Sequence, residues 1–172
     1  MGELYLRHTQ RFADYQERNG EPRIGHKTEI QNEPWLWTLS KDAHWKHHLA
    51  EFDQDIESNS LGLIGKLRPG KKQPREVRIV AIGDSYTMGA GDTLGYGYPS
   101  ILERNLNSGN RSRTYTVINA GVWGSDPIFG INLLQLRLWT LHPDIVLLTI
   151  NYTDIDDLVR RGALTGSMRR VT

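Results

Sequence analysis

The 172-residue chain contains no cysteine. Disulfides, thiolate nucleophiles and cysteine-based zinc sites are thereby excluded. Neither sign of charge is in excess: 21 Lys and Arg against 20 Asp and Glu leave a formal net charge of +1. A nucleic-acid footprint needs basic excess to displace counterions, so no nucleic-acid partner is expected. No run of about 18 apolar residues occurs, so no segment reads as transmembrane. Met1 to Asp14 is charged throughout and carries no apolar stretch, so no signal peptide is read there. Internal repeats and low-complexity tracts are also missing.

What is present divides unevenly. Residues 1–76 hold all six Lys and five of the six His, but only 12 of the 40 Val, Ile and Leu. Apolar burial drives folding, so the core is expected in residues 77–172. Residues 1–76 read as an N-terminal extension, partly irregular, with a helix expected over Leu4–Arg18. Its end, Arg68 to Glu76, carries two Pro, one Gly and clustered charge, the composition of an exposed linker.

The second part alternates strand and helix signals. Val77–Ile82 (VRIVAI) is β-branched and nearly continuous, which suits a strand buried on both faces. Gly83 to Gly97 reads as a long loop with five Gly. Pro99 then opens a helix over 99–107 whose face is Ile101, Leu102 and Leu106, and Gly109 closes it. A second strand is expected over Tyr115–Asn119. Asp126 and Pro127 are a cap and a first-turn proline for a helix over 127–141, with Ile128, Ile131, Leu134, Leu138 and Leu141 on one face. A third buried strand follows over Ile145–Ile150. The order β-α-β-α-β predicts a parallel sheet in an α/β/α layer of the flavodoxin-like, doubly wound class.

In such sheets, sites form at the carboxyl ends of the strands. Three polar loops leave those ends: Gly83 to Thr87, Asn119 to Asp126, and Asn151 to Asp154. Ser85 is the candidate nucleophile, a hydroxyl two residues past a strand on a Gly-Asp turn. The plainer reading is that Asp84 or Ser85 merely caps the following turn, as these residue types do. The run is not a G-x-S-x-G nucleophile elbow, because Gly89 comes too late.

The run IGDSYTMG after VRIVA resembles the first block of the SGNH/GDSL hydrolases, with Tyr86 where Leu or Phe is common. VINAGVWGSD is similar to the second block, with Gly124 its best match. Asn151-Tyr152-Thr153-Asp154 stands where G-x-N-D is usual. Ser58 to Leu63 (SNSLGL) looks like the N-S-x-G lead-in of bacterial members that carry an N-terminal extension. The resemblance implies the SGNH hydrolase fold and a serine ester hydrolase acting on acyl or acetyl esters of lipid or carbohydrate. It implies Ser85 as nucleophile, preceded by Asp84. Oxyanion donors would be the Ser85 and Gly124 backbone N–H groups. Thr153, in the family's Asn position, or the neighbouring Asn151 would be the third donor, with Asp154 completing the block. No cofactor and no metal are expected. The implied partner is a small-molecule, glycan or lipid ester.

The chain departs from the family in its last hallmark, D-x-x-H, which supplies the triad Asp and the general base. No Asp here is followed by His at the third position. The expectations are a domain incomplete at its C-terminus and little turnover by these residues alone. An extracytoplasmic setting is expected if the N-terminus is likewise incomplete. His142 precedes the third strand and so falls at the wrong end of the sheet to serve as base. His44 and His48 at i, i+4 would share a helix face and could hold a metal, although a solvated face is the simpler reading. The alternative function is a non-catalytic carbohydrate- or acyl-binding module. A nucleotide site is disfavoured, because Gly89 to Gly95 fails the G-x-G-x-x-G spacing and no P-loop Lys follows.

Overall fold

The computed structural model describes residues 28–30, 33–48, 52–65, 70–109 and 112–155. In chain order the strands are β1 (Thr28–Ile30), β2 (Glu33–Thr38), β3 (His44–His48), β4 (Asp53–Glu57), β5 (Glu76–Gly83), β6 (Thr114–Gly121) and β7 (Ile145–Leu148). The helices are α1 (Ser85–Met88), α2 (Tyr98–Asn107) and α3 (Pro127–Leu133). The helix expected over Leu4–Arg18 lies outside the described residues.

β5, β6 and β7 form a parallel sheet in the order β6-β5-β7, with β5 central. The chain steps from β5 to one neighbour, then crosses back to the other side. That order begins a flavodoxin-like sheet and puts a topological switch between β5 and β7. On one face, Ile79, Ala81 and Val117 pack with Leu102 and Leu106 of α2. On the other, Val80, Ile82, Ile118 and Ala120 pack with Phe129, Leu133, Leu138 and Leu141. Covering both faces explains the apolar run Ile79–Ile82 of β5, since neither side of the strand meets water there.

The elements differ from the sequence expectations in four places. Inside the expected loop, Ser85–Met88 forms one helical turn, capped by the Asp84 side chain at its start and by left-handed Gly89 at its end. The helix expected over 127–141 is α only to Leu133, then continues as a π segment (Leu134–Leu138) and a 3-10 turn (Trp139–Leu141). The wider turn moves the buried stripe to Phe129, Leu133, Leu134 and Leu138 and leaves Ile131 39% exposed. Ile101 is likewise exposed, while Leu102 and Leu106 pack on the sheet. β7 stops at Leu148, short of the expected Ile150.

The fourth difference is the N-terminal part. Its described residues form two antiparallel hairpins, β1–β2 and β3–β4. His44 to His48 is therefore a strand, not a helix face. His44 lies beside Asp55 of the facing strand at 3.5 Å, and no metal-holding group occurs among the described residues. Leu39 and Ile56 pack with Met88 of α1, tying this part to the sheet's carboxyl edge. Gln54 clasps the turn after α1: its amide donates to the carbonyls of Gly89 and Asp92 and accepts from Gly91 N–H. Asn59, in the SNSLGL segment, accepts from the N–H groups of Leu61 and Leu63 and so builds that turn.

The amino end of the sheet is closed by charge. Arg78 donates to Glu76, to the Leu141 carbonyl at 2.7 Å and to the Gly70 carbonyl. Asp144 accepts from Arg78 N–H and from Lys72 Nζ. Burial opposes ionisation of Glu76, but hydrogen bonds from Arg78 and the Gln73 backbone outweigh it and hold the carboxyl below its ordinary range. Lys72, followed by Arg78 N–H, does the same for Asp144. No helix among the described residues is long and apolar enough to cross a membrane.

Candidate active site

The carboxyl edge is built from small residues because backbones must meet there. A Cβ on Gly121 would stand 2.1 Å from Met88 N, so α1 can lie on the end of β6 only if that residue is glycine. A Cβ on Gly83 would meet Thr87 Oγ1 at 2.2 Å. The loop after β6 docks on the same point: Val122 N–H and the Ser125 hydroxyl both donate to the Gly83 carbonyl. The chain after β7 is held by Thr149 N–H on the Ile82 carbonyl. All three loops are thus anchored within one or two residues of the end of β5.

Asp84 is the hub. Its side chain is buried at 6% exposure. One oxygen accepts from Tyr86 N–H at 3.0 Å and caps α1; the other accepts from Asn151 Nδ2 at 2.7 Å. The capping role read for Asp84 and the crevice read for its loop therefore coexist in one carboxylate. Ser85 is half-buried at the first position of α1, and its carbonyl accepts from Gly89 and Ala90 N–H. Asn151 takes both N–H and O–H of Thr153 on its Oδ1, at 2.8 and 2.6 Å. Asp154, buried, accepts from Asn151 N–H at 2.6 Å. Gly124 is exposed with φ +66°, and the space a Cβ would fill is open.

Proton bookkeeping separates the two candidates for a third donor. A threonine hydroxyl has one proton, and that of Thr153 goes to Asn151. The Asn151 amide has two, of which one goes to Asp84. Thr153 therefore orients the amide, and Asn151 keeps an N–H to offer.

Histidine does not complete the constellation among the described residues, where no side chain hydrogen-bonds to the Ser85 hydroxyl. His142 sits in a left-handed turn before β7, beside Lys72 at the amino end of the sheet. His44 lies in the β3–β4 hairpin beside Asp55.

Sequence reasoning missed the layer beneath the site. Tyr98 OH lies 2.7 Å from Thr149 Oγ1 and 3.4 Å from Thr87 Oγ1, linking α2, α1 and the end of β7. Asn119 donates to the Met88 carbonyl and accepts from Gly121 N–H. A polar residue closing an apolar strand, as Asn119 and Thr149 do, was the available signal.

No family model and no curated protein matches the chain. Solved structures similar to part of it include two of one esterase. One is the SGNH-hydrolase family esterase AlinE4, at 21% identity and a TM-score of 0.40, over 55% of this chain and 57% of that one. The other is a mutant of esterase AlinE4, at 27% identity and a TM-score of 0.41, over 53% of this chain and 46% of that one. The chain spans about half the length of each.

Proposed function

We propose that the carboxyl edge is a serine acyl-transfer site of the SGNH/GDSL type, acting on carboxylic esters. The observation that carries this reading is the Asp84–Asn151 hydrogen bond, which joins the loop of the GDS motif to the third-block loop across the switch point. Ser85 Oγ attacks the ester carbonyl carbon while its proton passes to an imidazole base or to solvent. The carbonyl oxygen becomes an oxyanion facing the N–H groups of Ser85, Gly124 and the Asn151 side chain. The alcohol then leaves with a proton. Water releases the acyl group as a carboxylic acid and restores the serine. One well-placed oxyanion donor is worth about 3 kcal/mol of barrier. A serine hydroxyl without a base within hydrogen-bond reach is a weak nucleophile. No imidazole stands beside Ser85 among the described residues, so slow turnover is expected, with roughly 10³-fold residual catalysis over water.

The test is hydrolysis of p-nitrophenyl acetate by the chain and by Ser85→Ala, with and without added imidazole. A slow rate that disappears in Ser85→Ala, and that imidazole raises only when Ser85 is present, supports the reading. Equal rates in both proteins, with no fluorophosphonate labelling of Ser85, would sink it. That outcome would favour a non-catalytic binding module, the reading that the unpartnered Ser85 hydroxyl supports among the described residues.

A further inference from the structure

The charged linker read from the sequence ends at the amino edge of the sheet, roughly 23 Å along β5 from the GDS motif. There Gln73, Pro74, Arg75 and Glu76 form a tight turn, closed by Glu76 N–H on the Gln73 carbonyl at 3.1 Å. Pro74 is its second residue, and Arg75, its third, has φ +66°. Proline second and a positive φ third make this a type II turn, whose third position favours glycine. Arginine there strains a backbone that glycine would leave relaxed, and strain of this kind recurs at ligand clamps.

The neighbouring strand brings a second arginine. β5 and β6 pair Glu76 with Thr114, and Thr114 N–H donates to the Arg75 carbonyl, so Arg75 and Arg113 continue the ladder as neighbours. Both border an open cleft of about 590 Å³, together with Glu76, Val77, Ser112 and Asp144. Like charges side by side on adjacent strands repel one another. The two carboxylates of the wall are each held by other donors. Glu76 accepts from Arg78 Nε and Gln73 N–H, and Asp144 accepts from Lys72 Nζ and Arg78 N–H. Lys72, Arg75, Arg78 and Arg113 thus stand against Glu76 and Asp144, an excess of two positive charges at one cleft in a chain whose net charge is +1.

From this juxtaposition we infer that the cleft between Arg75 and Arg113 binds the phosphate monoester group of a small ligand. A cleft with one sign in excess concentrates the opposite sign. A carboxylate satisfies one guanidinium fork and carries one charge. A phosphate monoester carries nearly two charges on three terminal oxygens, so it answers both forks and the whole excess. The cleft volume is that of a site for a small organic molecule, which leaves room for the group that bears the phosphate. The inference stands apart from the acyl-transfer reading, since the cleft lies at the other end of β5 and takes no part in that chemistry.

The test titrates the full chain with methyl phosphate and follows the arginine Nε–H signals by NMR. Those of Arg75 and Arg113 should shift saturably below about 10 mM. Dimethyl phosphate, a diester with a single charge, should bind about tenfold more weakly. Arg75→Gly should weaken methyl phosphate binding about tenfold and at the same time raise the thermal midpoint of the ligand-free chain, because glycine relaxes the turn. An arginine kept only for the fold would lower that midpoint when replaced. Arg113→Gln, which leaves the turn alone, should weaken binding by a similar factor. Phosphatidylcholine vesicles containing phosphatidic acid form the second arm. Sedimentation with them that Arg75→Gly abolishes would identify a lipid headgroup as the source of the phosphate, and shifts with methyl phosphate alone would identify a free one. No saturable shift in either arm, equal affinity for the diester, unchanged binding by Arg75→Gly, or a lowered midpoint in that variant would each overturn the inference.

Discussion

At the amino end of β5, Arg78 is 3% exposed and its guanidinium donates to Glu76 and to two carbonyls. At the carboxyl end, five residues on, the strand finishes in glycine, the next carboxylate is shared between two loops, and two tyrosines stand in water. One end spends its polar groups on itself. The other keeps a half-buried hydroxyl and an amide N–H in hand. The same strand supports both because its middle is apolar on both faces and transmits no polar demand from one end to the other. Stability and the proposed chemistry are therefore separable along β5, and substitutions can break either end alone.

The largest effect is expected from Arg78→Ala. It leaves Glu76 as a buried charge without its partner, a loss that costs about 3–5 kcal/mol. Chemical denaturation should show that loss, whereas fluorophosphonate labelling of the folded fraction at Ser85 should be unchanged. The acid limb of stability should change too. Glu76 is held below its ordinary range, so its contribution is complete above the unfolded value and is lost as pH falls through the lower, folded one. Stability of the parent chain should fall below about pH 4, and Glu76→Gln should flatten that fall.

Gly121→Ala tests the other end. The added methyl meets backbone atoms of α1, which cannot swing aside as a side chain would. Overpacking of this kind costs about 1–3 kcal/mol. Unlike Arg78→Ala, it should also displace Ser85, so labelling per folded molecule should drop. Unchanged labelling would show that α1 is not seated by the close approach at β6.

A smaller loss is expected for Thr153→Val. One hydrogen bond to the Asn151 carbonyl disappears, worth about 1 kcal/mol. The amide of Asn151 should then rotate more freely, and its side-chain NMR signals should broaden or shift. Sharp, unmoved signals would argue that Asp84 and the backbone N–H of residue 153 hold the amide without the hydroxyl. The smallest effect belongs to Lys72→Ala. Asp144 keeps its bond from Arg78 N–H, and a partly exposed ion pair contributes only about 0–1 kcal/mol. A loss as large as that from Arg78→Ala would mean the amino end works as one network.

The sequence by itself determined the parallel sheet, because β-branched runs separated by capped amphipathic segments leave few alternatives to a doubly wound layer. Proline marked the starts of α2 and α3, glycine the close of α2, and the GDS run put Ser85 at the end of β5. Periodicity failed for α3, whose π turn is set by the surface it packs on, and for β3 and β4, whose charged residues alternate without an apolar signal. The third block stayed ambiguous between Thr153 and Asn151, since a motif names residue types and not the direction of a proton. Only the tertiary structure decided that Thr153 serves Asn151, that Asp84 is shared between two loops, and that Gln54 from a distant hairpin holds the turn after α1. The first turns on which way one proton points between residues two apart, and the other two are contacts between polar groups far apart in the chain, whose partners are chosen by the packing of the layers and leave no periodic trace.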